Sequence, residues 1–257
     1  MTALAAVAAF AGAFVQSTTG FGFALLLSPA LFATMDPVEA VTTLLVLGVA
    51  LNVLMLFEGV GNEQVDWRAL APMLAAALPG LVVGVVALTQ LSKQALQVIV
   101  GVAVVLAAAW QLRRRGRPDR PHLPAGAESV RSHAAEPRAP GLAAGFASGV
   151  LGTSISVSGP PIVLWLEARG VRPEAFRASL AVSFLFLNLV GGAVLLIAKG
   201  SGALDAGVVA PLLALVVAGH ALGALAFRRI DHERFFALVL LLVAGTGVAS
   251  VVAGLTT

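Results

Sequence analysis

Long apolar runs alternate with short polar loops along this chain, and two of the runs are interrupted. Uninterrupted runs occupy 38–57, 68–90, 93–112, 177–198, 206–226 and 234–254. Each is long enough to cross a bilayer as a helix, which takes about 20 residues. The two further apolar segments, 3–33 and 141–167, are broken by small, polar, glycine-rich sequences: QSTTGFGF from Gln16 and GTSISVSGPP from Gly152, starting 136 residues apart. Within a bilayer a broken backbone is tolerated only where protein buries it or where it lines a cavity. Matching breaks in two halves of a chain point to a transporter binding site.

The halves align. At an offset of 136, Phe10 meets Phe146, Pro37 meets Pro173 and Asn52 meets Asn188. After a three-residue shift, Val65-Asp66 meets Leu204-Asp205, Pro72 meets Pro211, Gly80 meets Gly219 and Gly84 meets Gly223. Between the halves lies 113–140, with seven Arg and five Pro among 28 residues, which cannot bury a core and is expected to be disordered. The expected organisation is a first membrane repeat over 1–112, a cytoplasmic linker over 113–140 and a second repeat over 141–257. The fold class is all-α and polytopic. Each half contributes a broken or re-entrant helical hairpin and three transmembrane helices.

Composition removes other classes. Hydrophobic residues make up 59% and charged residues 11% of the 257, with mean hydropathy +0.97, against about 25% charged in a soluble domain. The net charge of +3 does not indicate nucleic acid, because the arginines fall in loops, where they orient spans. Cysteine is absent, so disulfides and thiolate chemistry are excluded. The first residues resemble the apolar core of a signal peptide, but they lack a basic leading region and run on past any cleavage point, so cleavage is not expected. Trp67, Trp110 and Trp165 each end an apolar segment, as interfacial anchors do.

Charge also selects a topology. If both broken segments cross fully, the repeats are parallel and nine Lys/Arg are cytoplasmic against seven external. If each enters and leaves on one side, the repeats are inverted, with 14 cytoplasmic and only Lys93 and Lys199 external. The positive-inside rule favours inversion, with both termini outside. Helices over 3–16 and 21–33 would each span about 20 Å, so the turn Ser17-Thr18-Thr19-Gly20 would lie near the midplane. The second hairpin is expected as helix 141–151, a turn over Gly152–Gly159 and a return helix opening at Pro160-Pro161, residues suited to a first helical turn.

The candidate site follows from these breaks. Both return helices would aim N–H-bearing N-termini at the midplane, a geometry that binds small anions. Hydroxyls of Ser17, Thr18, Thr19, Ser154, Ser156 and Ser158 would add donors, and Gly20, Gly22 and Gly159 would allow close approach. The bland alternative is that small residues only let helices pack. Gln16 opens the first break opposite Gly152 of the second. Asn52 and Asn188 are mid-span amides that need partners, either a ligand or a neighbouring helix. His220, matched by Leu81, is either a structural histidine or a proton-coupling group. Ser183 either faces the site or bonds its own helix. Arg172, Arg177, Arg228, Arg229 and Arg234 read as cytoplasmic rim residues, and Asp66 and Asp205 as helix caps. No metal set, nucleophile–base pair or phosphate loop is present, so neither a cofactor nor a metal is expected.

GFGFALLLSPALF (from Gly20), GTSISVSGPPIVLWL (from Gly152) and the two-half organisation resemble the sulfite exporter TauE/SafE family, also called TSUP, over nearly the whole chain. The resemblance implies an integral membrane transporter of small, often sulfur-containing anions such as sulfite or organosulfonates. The resulting expectation is a multi-pass, inner- or plasma-membrane secondary transporter working by alternating access. Its substrate would meet Gln16, Ser17, Thr18, Thr19, Gly20, Gly22, Asn52, Ser154, Ser156, Ser158, Gly159, Pro160 and Asn188. A passive anion channel is the alternative, and a membrane-embedded enzyme a weaker one. The expected partners are the anion and the lipid bilayer, with homo-oligomerisation open and nucleic acid excluded.

Overall fold

A computed structural model describes residues 3–57, 65–115, 139–169, 173–200 and 205–226, with a few positions between 245 and 255. Among the described residues every regular element is a helix: α1 (Ala3–Thr19), α2 (Phe23–Thr34), α3 (Pro37–Phe57), α4 (Trp67–Gln90), α5 (Lys93–Arg115), α6 (Ala139–Ile155), α7 (Gly159–Ala168), α8 (Pro173–Lys199) and α9 (Ala206–Ala226). Most of the predicted span 234–254 and most of the Arg-rich linker lie outside the described residues, as do Arg172, Arg228, Arg229 and Arg234.

Helix starts follow the local chemistry. α3 and α8 open on Pro37 and Pro173, whose fixed φ and missing N–H suit a first turn. Asp66 caps α4, its carboxylate accepting from the Ala69 N–H at 3.3 Å. Asp205 likewise accepts from the Gly207 N–H at 2.8 Å at the start of α9, so both repeat-matched aspartates cap as expected. Stretches within α3, α4, α8 and α9 are long and apolar enough to cross a bilayer. The shorter α1, α2, α6 and α7 have 17, 12, 17 and 10 residues. At about 1.5 Å per residue none of these reaches the roughly 30 Å of a hydrocarbon core.

α6 and α7 form a hairpin that returns to the end at which it began. A Cβ at Gly141, near the start of α6, would lie 3.0 Å from the Trp165 indole nitrogen, near the end of α7. At its tip, α2 folds back on α1 in the same manner, with Gly12 packed under Phe23.

The two halves exchange helices. α1 packs mainly against α9, and α6 against α4. A methyl group added at Gly80 or Gly84 of α4 would run into the carbonyl of Phe146 or Val150 of α6. One added at Gly219 or Gly223 of α9 would run into the carbonyl of Phe10 or Phe14 of α1. Each member of the first set is the repeat mate of a member of the second. Close backbone approach through small residues is the means by which helices associate in an apolar solvent, where no hydrophobic drive operates. α3 and α8, themselves repeat mates, pack on each other. Gly48 meets Asn188, and Leu45 comes within 3.9 Å of a Cβ at Gly191. Partner numbers fall along α8 as they rise along α3, so these two helices run antiparallel.

Burial is inverted relative to a soluble protein. Gln16, Asn52, Thr153, Ser158 and His220 are inside, while Val82, Val86, Leu222 and Leu225 point outward. The outward apolar surface suits lipid.

Gly149 and Gly192 separate packing from mere small size. A Cβ at Gly149 would strike the Ala77 carbonyl, whereas one at Gly192 meets nothing within 4 Å. Gly149→Leu should lower the detergent melting temperature by about 5 °C or more through overpacking. Gly192→Leu should move it by about 2 °C or less, and equal shifts in the two variants would contradict this packing.

Candidate functional site

Both breaks are shorter than the sequence indicates and sit later in the chain. α1 continues to Thr19 and α6 to Ile155, leaving only residues 20–22 and 156–158 non-helical. The predicted turn residues Ser17, Thr18, Thr19, Gly152, Thr153 and Ser154 are therefore helical, and their hydroxyls are engaged. Ser17 Oγ donates to the Ala13 carbonyl at 2.7 Å and Thr18 Oγ1 to that of Val15 at 2.8 Å. Thr19 Oγ1 lies 2.9 Å from the Val15 carbonyl and 2.7 Å from that of Phe21. Ser154 Oγ donates to the Val150 carbonyl at 2.6 Å, and Thr153 Oγ1 to that of Leu81 at 2.7 Å. Back-bonding of this kind is how hydroxyl side chains hide in apolar helices. Ser183 does the same, donating to Ser179 at 2.6 Å.

Each helix ends on a left-handed residue, and the two occupy matching positions. Gly20 has φ 91° and Ser156 has φ 59°. The Gly20 N–H bonds the Gln16 carbonyl at 2.7 Å, and the Val157 N–H bonds that of Leu151 at 3.2 Å. Both are C-terminal closures built on a left-handed residue. A serine in this conformation is strained relative to glycine.

The breaks meet around one small cavity of about 40 Å³. Six pairs of its lining residues are repeat mates: Phe21 with Val157, Gly22 with Ser158, Phe23 with Gly159, Ala24 with Pro160, Gly48 with Phe184, and Asn52 with Asn188. The cavity therefore lies where the two halves face each other as equivalents. Gln16, Leu25, Leu44 and Ser156 complete the lining. A bond from Ser28 Oγ of α2 to the Ile155 carbonyl, 2.9 Å, ties one hairpin to the tip of the other.

The polar wall on the first-hairpin side is self-satisfied. Gln16 Nε2 donates to Asn52 Oδ1 at 3.1 Å, Gln16 Oε1 accepts from the Phe23 N–H at 3.3 Å, and Asn52 Nδ2 donates to the Gly48 carbonyl at 2.6 Å. Gln16 thus fixes the first turn of α2 against α3. The next N–H groups, of Ala24 and Leu25, have no acceptor within a helix by geometry, and both residues line the cavity. The N-terminus of α7 differs from expectation: Pro160 and Pro161 carry no N–H, so it presents fewer donors than α2. Its Ser158 makes no capping bond, and the buried Ser156 Oγ has no hydrogen-bond partner.

Of the residues read from the sequence as a site, Gln16, Gly22, Asn52, Ser156, Ser158, Gly159, Pro160 and Asn188 come together here, and Ser17, Thr18, Thr19, Gly20, Ser154 and His220 do not line it. His220 Nδ1 lies 2.7 Å from Ser17 Oγ, behind the wall. Arg177 is not simply a rim residue. It is part-buried, its Nη2 donates 2.8 Å to the Ser17 carbonyl, and its stem packs on Gly20. A cation at the negative end of α1 is favourable. Sequence reasoning missed Phe184, Gly48 and Leu44. Phe184 and Gly48 each lie one helical turn before a matched asparagine, so extending the face that carries Asn52 and Asn188 by one turn finds them.

The model of the family described as sulfite exporter TauE/SafE matches residues 4–250. The chain belongs to the sulfite exporter TauE/SafE family. It is similar to the probable sulfite/organosulfonate exporter TauE of Cupriavidus necator, 29% identical over 202 residues that cover 77% of this chain and 72% of that protein. No solved structure matches. The TauE/SafE chain is a multi-pass membrane protein, and members of its family are transporters rather than enzymes.

The hydrogen-bond pattern separates two residues that the sequence treats alike. Gln16→Met leaves the Phe23 N–H and Asn52 Oδ1 without partners and should cost about 2 kcal/mol in detergent unfolding. Ser154→Ala removes only a back-bond and should stay within about 0.5 kcal/mol. Equal losses in the two variants would show that Gln16 does not hold the site.

Proposed function

We propose that this protein is a secondary transporter of a small anion, of the sulfite or organosulfonate kind, that binds between the two helix breaks and moves by alternating access. The observation that carries this reading is the cavity, lined by six pairs of repeat mates, one of each pair from either half. A site on the junction of two equivalent halves is what an alternating mechanism needs, since rocking one repeat against the other exposes the same site to either side. The N-terminus of α2 and the hydroxyls of Ser156 and Ser158 offer neutral donors to an oxyanion. The expected membrane is the cell's inner or plasma membrane. The relative from Cupriavidus necator is itself named for sulfite and organosulfonate export.

The repeats are proposed to be inverted. The antiparallel run of α3 against α8 supports this, because mates related by an axis along the membrane normal would run parallel. The α6–α7 hairpin, closing at Trp165 and Gly141, supports re-entry from the linker side. The cation count points the same way. Because the chain has no cysteine, single cysteines report topology cleanly. Ser92→Cys and Gly200→Cys should both react with an impermeant maleimide from outside in intact cells, and Arg169→Cys should not. Labelling of Arg169→Cys from outside, with Gly200→Cys protected, would instead establish parallel repeats.

Transport is tested in proteoliposomes with radiolabelled sulfite or methanesulfonate. Counterflow, in which unlabelled internal substrate accelerates uptake of label, is expected. Flux without such acceleration would identify a passive channel. Proton coupling, where present, is assigned to His220 through its contact with Ser17, beside Gln16. An imposed pH gradient should then drive uptake in the unmodified protein and fail to do so in His220→Gln, while counterflow survives.

A further inference from the structure

Two equivalent approaches lead to the cavity, one along α8 and one along α3. Asn188 and Phe184 of α8 line the cavity, and Leu180 and Arg177 continue the same helical face away from it. On α3 the mates of these four, Asn52, Gly48, Leu44 and Val41, form the matching face. Both approaches are packed shut: Leu180 and Phe184 are buried on one, Leu44 and Val41 on the other. Of the eight residues only Arg177 is charged, and it stands on the side where α6 and α8 begin, the linker side. Arg177 does more than end this face. Its Nη2 donates to the Ser17 carbonyl at 2.8 Å, tying the second half to the tip of the first hairpin. That carbonyl has lost its helical partner, because the N–H four residues on, of Phe21, turns to Thr19 Oγ1 at 3.4 Å. The guanidinium thus replaces a helical hydrogen bond at the negative end of α1, where a cation is favoured. The tip also fits the side chain. A Cβ at Gly20 would lie 3.2 Å from Arg177 Cγ and 3.6 Å from Leu180 Cδ1, so glycine there leaves the arginine stem its room. The tip of the second hairpin is tied differently, by the neutral Ser28 Oγ donating to the Ile155 carbonyl at 2.9 Å. The mate of Ser28 is Leu164 and that of Arg177 is Val41, so neither tie is repeated by symmetry.

We propose, resting on the alternating-access reading above, that Arg177 is the latch of the linker-side barrier. Its bond to Ser17 must break before the cavity opens to that side. In a frame of two equivalent halves, opening toward either side would otherwise cost about the same. An ionised donor on a helix-end carbonyl is a stronger tie than a neutral hydroxyl on one, and it is made on one side only. The protein therefore rests closed toward the linker side and opens more readily toward the other. Arg177 is a positioning residue in this cycle. It holds α8 against the end of α1 and lies outside the cavity lining.

Single cysteines read the latch, since the chain has none of its own. Ser158→Cys places a thiol in the cavity wall, and the membrane face from which Arg169→Cys reacts defines the linker side. With Arg177 present, a small impermeant methanethiosulfonate should reach Ser158→Cys faster from the opposite face. Arg177→Met should raise the linker-side rate about ten-fold, the equivalent of one lost charge-assisted bond, and leave the opposite-side rate the same or lower. Arg177→Lys keeps the charge and should raise the linker-side rate about three-fold or less. Ser28→Ala should act in reverse, raising the opposite-side rate alone. Linker-side reactivity that Arg177→Met leaves unchanged, including none at all, would overturn the proposal. So would equal acceleration from both faces, the mark of a merely loosened structure. Loss of folding in both Arg177→Met and Arg177→Gln would overturn it too, by making Arg177 a residue of the fold. Labelling needs no substrate, so counterflow by the unmodified protein tests the transport reading separately. Counterflow without a one-sided change in labelling removes the latch alone, whereas a one-sided change without counterflow removes the carrier reading and keeps Arg177 as a gate.

Discussion

The fold depends on one requirement: a polypeptide that stops being helical inside an apolar slab must find partners for its loose N–H and C=O groups within itself. Here the requirement is met by bringing two breaks together. Each closes on a left-handed residue, Gly20 or Ser156, with the N–H of Gly20 returning to Gln16 and that of Val157, just after Ser156, returning to Leu151. The remaining groups turn to the other hairpin or to a flanking helix, as with Ser28 and the Ile155 carbonyl or Gln16 and the Phe23 N–H. Arg177 takes the Ser17 carbonyl at the C-terminal end of α1. The cavity is what is left after these obligations are met.

Symmetry supplies the second constraint. Two hairpins alone would not fix their tips against each other in lipid, where apolar surfaces gain little by association. The register is set instead by glycines that admit a facing backbone. Gly80 and Gly84 hold α6, and Gly219 and Gly223 hold α1. Because these glycines are repeat mates, the two hairpins are positioned by one interaction used twice, and the tips arrive at the same cavity. The asparagines Asn52 and Asn188 then fall on the facing sides of α3 and α8, where both line the cavity.

Much of this was legible in the residues, because the signals are local or duplicated. Apolar run length places α3, α4, α8 and α9, and aspartate at a span start marks the caps at Asp66 and Asp205. Repetition of an unusual break locates the cavity, which eight of the residues expected at the substrate site line. The boundaries of the breaks were not legible. Ser17, Thr18, Thr19 and Ser154 look like turn residues by propensity, yet an apolar surrounding favours helix and lets each hydroxyl bond the preceding turn. Propensity measured in water penalises these residues for a competition that burial removes. The role of Arg177 was hidden for a related reason. Its sequence neighbours place it at a span end, and only the arrival of α1 from the other half shows which carbonyl it meets. The contrast between the donor-rich N-terminus of α2 and the proline-blocked one of α7 was written in Pro160-Pro161, and it becomes chemically meaningful only once both ends share a cavity.

The exchange of helices between halves also bears on how the protein is made. α1 and its principal neighbour α9 are separated by most of the chain. The contact between Ser17 and His220 spans 203 residues of sequence. Until α9 has been inserted, α1 lacks the helix it packs against most, and only α2 and the helices that α2 touches, α3 and α5, are there to close on the first hairpin. A single half on its own lacks that partner, and a second copy would supply it through the repeat mate of α9, α4.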